Sequence, residues 1–519
     1  MGFQVVDREL AVPGTLLDEA KELPVDSDFT LPDYCADIAA VLKCVMRPVI
    51  QSKQVTTDRL MADGTALLRV MYLDEGRRCV RTCEFSQPFT CTFTLPAGAA
   101  GGQMKLTAAT DYINCRATSP RRLDVHGAFT VRLAVTAEGS RRAVADVAGE
   151  GIYVRRQPVA FTVPAASAEK VFSIGEMMEL GEGKLPAESI LRSEVTPVLN
   201  ELKPLAGKAI LKGTLNLRTV YITDGASGAT SEAGHEIPFS QIVDVDGLTE
   251  GLDCDADLEV LQSDVSASLN QSGDGGLLSV NVKLAANLRC YRTDTAEIVT
   301  DAYSSKYPLT LSSEKLEMSQ LIGIRRENPV IRETFELPAE NLRDVADIWC
   351  DLSGVNARCE ASGTEPQGSG GHEGTTVEGR MLLCMLVRDD GGEMSYYERA
   401  DNFSLRVEDT CDHMAVAVKP LKCACAVLPS RQLEVAVTLD MARQCYVTES
   451  CMALSEVSAD ENAAFPAEKA ALKIYFAGNG ESLWEIAKGC HTSVQAVMDE
   501  NGLHSDVLAE DTMLLVPMM

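Results

Sequence analysis

Asp253, Asp255 and Asp257 alternate along the chain at the spacing of the first oxygen ligands of a calcium-binding loop. Such a loop turns on a glycine at its sixth position and closes with a bidentate glutamate at its twelfth, and this chain has Leu258 and Asp264 there. An acidic loop without calcium is the expectation. His235-Glu236 opens like a His-Glu-x-x-His zinc helix but continues as Ile237-Pro238-Phe239, without the second histidine. The six histidines, at 126, 235, 372, 413, 491 and 504, are isolated from one another. Cys423-Ala424-Cys425 and the pair Cys79 and Cys83 lack a second ligand pair at zinc-site spacing. Neither a Gly-x-Ser-x-Gly nucleophile elbow nor a phosphate loop ending in Gly-Lys-Ser/Thr occurs. Without a convergent set of acid, base and nucleophile, the sequence predicts no enzyme, no catalytic or metal-ligating residues and no cofactor.

The bulk properties fit that reading. A chain of 519 residues has room for three or four domains, and 45% hydrophobic with 24% charged residues is an ordinary globular composition. A net charge of −29, spread along the chain, repels phosphate backbones and anionic lipid, so nucleic acid is not an expected partner and a basic protein surface is an acceptable one. The first ten residues, MGFQVVDREL, lack the basic start and apolar stretch of a secretion signal, and nowhere do 18 uncharged apolar residues run together. A cytosolic protein without a transmembrane segment is expected.

Three anchors recur in constant order and set the architecture. A Leu-Pro step opens each unit, at Leu31-Pro32, Leu185-Pro186 and Leu337-Pro338, where proline suits a turn into a strand. A strand-like run led by glycine follows, from Gly64, Gly207 and Gly379, and each run precedes a segment carrying phenylalanine, at Phe85 and Phe89, at Phe239 and at Phe403. The third anchor alternates apolar residues at period two: Leu123 to Val131, Leu278 to Ala286 and Leu433 to Met441, with both offsets equal to 155 residues. Alternation of that kind marks a half-buried antiparallel strand.

We therefore expect a mainly β protein: three homologous, sandwich-like β-rich repeats at 1–170, 171–325 and 326–457, a linker at 458–471 and a small module at 472–519. Apolar spacing of three and four predicts short helices at Asp37–Lys43 and Ser313–Leu321. The glycine-rich stretch Gln367–Gly374 reads as a loop insertion in the third repeat. The seventeen cysteines divide unevenly over these segments, six, two, eight and one, so no disulfide framework is shared and most are expected to be reduced, buried hydrophobes.

The last module reads strand, helix, helix, strand (βααβ). Leu472–Phe476 is the first strand, Ser482-Leu483-Trp484-Glu485 caps one helix, Thr492-Ser493-Val494-Gln495 the next, Asn501-Gly502 ends it and Met513–Pro517 closes the unit. With Tyr475, Gly480, the run Ser482 to Lys488, Thr492 to Val494, Asn501-Gly502-Leu503 and Val516-Pro517, this segment resembles the LysM family. LysM modules commonly bind N-acetylglucosamine polymers such as peptidoglycan, and the resemblance implies a groove at Gly480, Glu481, Ser482, Leu508, Ala509 and Asp511. Family members usually carry a Pro-Gly turn before the last strand; this chain has Leu508-Ala509-Glu510-Asp511-Thr512, with two carboxylates and no glycine for close backbone approach. A protein-docking role would instead draw on Trp484, either packed on its own module or exposed as an aromatic anchor, with Lys473 and Lys488 beside it.

Three β-rich repeats before a single LysM resemble the SipL-like, SPOCS-repeat proteins of spore coat morphogenesis. That resemblance implies a scaffold made in the mother-cell cytoplasm, located at the forespore surface and spore coat, with the LysM docking to a SpoIVA-type coat ATPase and the chain contacting other coat proteins. Binding of peptidoglycan in the cortex or wall is the alternative.

Overall fold

Alternation at period two continues far beyond an ordinary strand. In the computed structural model, which describes all residues except 1–2, 182, 270–275, 338–340, 360–373, 461, 467–469, 509 and 519, the third anchor lies within strands of 27, 29 and 28 residues. Pro338, Ala339, His372, Ala509 and residues 367–373 of the glycine-rich stretch fall outside the described residues. The first unit comprises β1 (Gln4–Thr30), β2 (Ile38–Val55), β3 (Arg59–Asp74), β4 (Val80–Thr94), β5 (Gln103–Ser119) and β6 (Arg122–Ala148). They form two antiparallel sheets, β1-β6-β5 and β2-β3-β4.

The second unit repeats this order with β7 (Ile152–Glu179), β8 (Ser189–Leu205), β9 (Lys208–Asp224), β10 (Ala229–Asp244), β11 (Asp253–Leu269) and β12 (Gly276–Ser304), paired as β7-β12-β11 and β8-β9-β10. In the third unit the first long strand is split into β13 (Leu309–Glu327) and β14 (Val330–Glu336). Both pair with β19 (Gln432–Ala459), which has β18 (His413–Val427) on its other side, while β15 (Leu342–Arg358), β16 (Thr375–Asp389) and β17 (Met394–Val407) form the second sheet. Each pair of sheets encloses an apolar core, for example Met46, Leu68, Phe93, Phe129 and Val131 in the first unit and Leu383, Met385, Phe403, Val435 and Val437 in the third.

The recurring glycine has a steric cause. Gly64 pairs directly with Phe89, Gly213 with Phe239 and Gly379 with Phe403. A Cβ on these glycines would come within 2.5, 2.4 and 2.8 Å of the facing ring. Only hydrogen leaves room for the ring to lie over the backbone. The structural equivalent in the second unit is thus Gly213, not Gly207, which sits in a turn at φ 74. In the same way Leu180, rather than Leu185, matches Leu31 and Leu337: their N–H groups donate to the carbonyls of Gly276, Arg121 and Arg431.

Two sequence expectations are corrected. Asp37–Lys43 and Ser313–Leu321 are not helices; from Ile38 onward the first is in β2, and the second is in β13. In the first segment, register shifts at Ile38/Ala40 and Val41/Lys43 insert Ala39 and Leu42, and each bulge moves the alternation by one position, which turns a spacing of two into three and imitates a helical period. In the second, Ser313–Leu321 pairs without interruption with Leu454–Tyr446, so Leu316 and Met318 share one face and Leu321, three residues on, lies on the other. The repeat boundaries expected at 170/171 and 325/326 fall inside β7 and β13, which pair with β12 and β19 through those positions. Division at 149–151 and 305–308 keeps every pairing intact and is used below.

Bulges also bend the long strands away from their own sandwiches. Leu16, Ala165 and Ile322 are the extra residues, facing Val135/Thr136, Cys290/Tyr291 and Cys445/Tyr446, positions 155 residues apart. Beyond this bend the three strand pairs pack on one another. Val144, Val299 and Leu454, again 155 apart, meet in one cluster with Val147, Ala302 and Val457. Val159, Phe161, Ile298, Met318 and Ala453 build a second shared cluster. A third unites Met71 and Leu73 with Val220 and Ile222 and with Trp349, Cys384 and Leu386, one set from each unit.

The junction of units two and three also buries charge. Asp347, with a fully buried side chain, accepts from Nε and Nη2 of Arg192 at 2.7 and 3.1 Å and from Nη1 of Arg218 at 2.7 Å. The Arg192 guanidinium lies 4.8 Å from the Trp349 ring centre. Removing one partner leaves a desolvated charge behind, which costs more than the intact pair contributes. Asp347→Ala should lower the unfolding free energy by roughly 3–5 kcal/mol, seen as a lower urea midpoint. A combined Asp347→Leu, Arg192→Met variant should recover part of that loss.

Candidate partner-docking module

After the linker, β20 (Leu472–Ala477), α1 (Leu483–Gly489), α2 (Val494–Asn501) and β21 (Thr512–Pro517) form the βααβ unit. Ser482 accepts from the Trp484 N–H at 3.2 Å and Ser493 from the Ala496 N–H at 3.0 Å, capping both helices. Gly502 ends α2 at φ 63, the left-handed geometry a glycine adopts without strain. Asn501 joins α2 to the last strand by accepting from the Leu515 N–H at 2.8 Å and donating to the Leu515 carbonyl at 2.7 Å. Leu483, Ile486, Ala487, Val497, Leu514 and Val516 fill the interior.

Trp484 is not an exposed anchor. It is 8% exposed, and its indole Nε1 donates to Oδ2 of Asp301 in β12 at 2.8 Å. Lys488 meets both oxygens of the same carboxylate at 2.8 and 2.7 Å. The Tyr303 ring stands edge-on to Trp484 at 4.9 Å, stacks on Tyr153 at 5.0 Å and donates its hydroxyl to the Thr492 carbonyl at 2.8 Å. Two of the three residues expected to recruit a partner therefore fasten the module to the second unit. The linker contributes too: the Phe465 N–H donates to the Lys306 carbonyl at 2.8 Å, and its ring stacks on His491 at 3.8 Å.

Asp301 carried no motif, yet the period places it. It follows a bulge at Thr300, equivalent to bulges at Ala145 and Ser455, and its equivalents 155 residues away are Asp146 and Glu456. An acid alone does not select the second unit. Tyr303 does, because its equivalents are Ala148 and Ser458, which offer no ring for Trp484.

The loops expected to form the glycan groove are bonded to each other. The Gly480 N–H donates to the Leu508 carbonyl at 2.8 Å, Leu508 returns a bond to Glu481 at 3.2 Å and Leu483 donates to Asp506 at 2.8 Å. Ser482 bridges to Val507. Asp511 accepts from the Asn479 N–H at 2.8 Å, so the carboxylate standing near the usual glycine position ties one loop to the other. Glu481 accepts from the Tyr475 hydroxyl at 2.5 Å and the Gly478 N–H at 3.0 Å, and these bonds, the hydroxyl first, hold its carboxyl below the usual range. The backbone donors of Gly478, Asn479, Gly480, Leu483 and Leu508 are occupied within the module.

What the module leaves open is the outer face of its two-stranded sheet. Phe476 pairs with Met513, Ile474 with Leu515 and Leu472 with Pro517. Phe476 is 79% exposed, Ile474 57%, Met513 55% and Leu472 45%. Lys473 is also exposed, pairing with Val516, with its side chain toward the opposite face of the strand. Apolar side chains in cross-strand register, with the exposed acids Glu510 and Asp511 at one end, form a surface suited to a partner.

The other chemical candidates are absorbed by pairing. Asp253, Asp255 and Asp257 lie on strand β11, not in a loop; Asp255 accepts from Arg326 at 2.8 Å and Gln444 at 2.9 Å, and Asp257 from Arg289 at 2.7 Å. The Asp255 bonds join unit two to unit three, and the Asp257 bond ties β11 to β12. Among the described residues no group of three or more His, Cys, Asp or Glu side chains is placed to hold a metal, and no helix is long and apolar enough to cross a membrane. A cleft of about 1070 Å3 between units two and three contains Arg218 and Asp347, already bonded to each other.

This architecture defines a β-sandwich repeat protein whose C-terminal βααβ module is seated on its second repeat. Comparison with protein families gives the particular kind. The SipL SPOCS domain matches residues 37–118 and 186–268, and the LysM domain matches 478–517. Two SPOCS segments and a LysM domain together fit a sporulation coat protein with a LysM module. The two SPOCS segments span β2–β5 and β8–β11, corresponding elements of successive units. No curated protein and no solved structure matches the chain. Both matched families are binding or scaffold domains.

Cutting the seat should free the module. Asp301→Ala removes the acceptor of Trp484 and Lys488, and in a Trp349→Phe background the remaining tryptophan emission should move to longer wavelength. Limited proteolysis should cut the 460–471 linker faster in the same variant.

Proposed function

We propose that the chain is a non-enzymatic scaffold for spore coat assembly, held at the forespore surface by docking of its LysM module to a SpoIVA-type coat ATPase. The observation that carries this reading is the orientation of the module. Trp484 and Lys488 are turned inward onto Asp301, so the module is presented with its apolar strand face, Leu472, Ile474, Phe476 and Met513, outward. A rigidly presented apolar face loses little orientational freedom on docking. A chain of net charge −29 disfavours a second copy as the occupant, and the acids at the Met513 end favour a partner whose apolar patch is bordered by basic residues.

The three repeats supply the scaffold. Their sheets are locked together at the shared centre, so contacts made by different repeats act from one body and combine their strengths. The alternative, peptidoglycan binding through Gly480, Glu481, Ser482, Leu508, Ala509 and Asp511, is favoured by the LysM match. It would require a sugar to displace the bonds between the two groove loops.

Phe476→Glu and Ile474→Glu should each weaken binding of the full chain to the coat ATPase at least tenfold while leaving the melting temperature unchanged, since neither side chain is buried. Retention on purified peptidoglycan tested in parallel separates the readings. If wild-type chain binds peptidoglycan, Asp511→Ala alters that binding and the ATPase is ignored, the docking proposal fails.

A further inference from the structure

The rung beside the first bulge is occupied differently in each unit. In the first, Met104 faces Val135; in the third, Met414 faces Cys445; in the second, Cys254 faces Cys290. Val135, Cys290 and Cys445 stand 155 residues apart, so this is one position filled three ways. Two units close it with a thioether against an aliphatic group or a single thiol. The fold therefore does not require a thiol pair here.

The two sulfurs of the second unit are 2.8 Å apart. That lies well inside ordinary sulfur–sulfur contact and is about 0.8 Å longer than a disulfide bond. Directly opposed residues on adjacent antiparallel strands bring their Cβ atoms to about 4.5 Å at the closest, the upper end of the separation such a bond spans. Access is one-sided: Cys290 is fully buried and Cys254 is partly open. The contact with Cys290 holds the Cys254 thiol below its ordinary range, and the same contact pushes Cys290 up. The more acidic thiol is thus the one that a small reagent can reach.

The geometry points to Cys254 and Cys290 as an oxidation site, a dithiol that a low-molecular-weight disulfide converts into a cross-strand disulfide between β11 and β12. The Cys254 thiolate attacks one sulfur of the reagent, forming a mixed disulfide and releasing the first reagent thiolate. Cys290 then gives up its proton and attacks the Cys254 sulfur, forming the protein disulfide and expelling the second reagent thiolate. The protein loses two electrons and two protons, and the reagent is reduced to two thiols.

The link would matter at a particular place. Asp255, next to Cys254, accepts from Arg326 and Gln444 of the third unit, and Cys290 lies where β12 leaves its sandwich for the shared centre. A covalent tie at this rung fixes the β11 strand that carries the junction between units two and three, so oxidation stiffens the scaffold without adding a contact.

The test uses the full chain with oxidised glutathione as probe, followed by alkylation, digestion and mass analysis. The expected result is recovery of the Cys254 and Cys290 peptides as one linked species, two hydrogens lighter than their sum, with a urea midpoint that rises on oxidation and falls back with dithiothreitol. Cys290→Val should stop at a glutathione adduct on Cys254, and Cys254→Met with Cys290→Val, which copies the rung of the first unit, should show no oxidation-dependent midpoint. Recovery of both wild-type thiols alkylated, or of a lasting glutathione adduct on wild-type Cys254, overturns the proposal. So does an unchanged wild-type proportion of links in the double variant's remaining cysteines combined with an identical midpoint rise.

Discussion

Burial of the far halves of the long strands is the constraint on which the molecule depends. A strand of 29 residues reaches roughly 95 Å at its ordinary rise per residue, about five times the usual length. One sandwich covers only one half of it. The other half carries Val144, Val299, Leu454 and their neighbours, and finds cover only against the equivalent halves of the other two units. Bulges at one rung in all three units make the bend that brings these halves together. The repeats are consequently parts of one body rather than beads on a linker, and the buried Asp347 pairing and the Asp255 bonds reinforce the same association.

On this repeated frame, function comes from the rungs where one unit departs from the other two. Every unit has an acid after its second bulge, but only the second adds a tyrosine two positions on, and the LysM module is seated there. Every unit fills the rung by its first bulge, but only the second fills it with two thiols. Repetition fixes backbone geometry in triplicate, and single side-chain differences then assign one copy a task.

The chemistry of the chain is the chemistry of holding. Its buried ionisable groups face partners, as Arg192 and Arg218 face Asp347 across the junction of units two and three, and Arg443 faces Asp409 at 2.9 Å within the third. Groups spent in this way organise surfaces. The surface that results is an acidic body with a seated module that shows Leu472, Ile474, Phe476 and Met513 on one exposed sheet face.

The sequence by itself determined the local periods: three copies of an alternating strand at 155-residue spacing, and the caps and terminal glycine of the βααβ module, because alternation and capping are set by near neighbours. It misled where a bulge changed the phase of alternation, at Asp37–Lys43, and where buried residues of both strand faces stood three apart, at Ser313–Leu321, so both read as helices although they lie in strand regions. It also placed unit boundaries inside β7 and β13, since a strand shared between a sandwich and a common centre shows no break in its pattern. Which face of Trp484 meets what, the seat on Asp301 and Tyr303, the closure of the groove by Asp511 and the meeting of Cys254 with Cys290 were decided only by tertiary structure. Each joins residues that are distant along the chain, and only packing and strand register bring such groups within bonding distance.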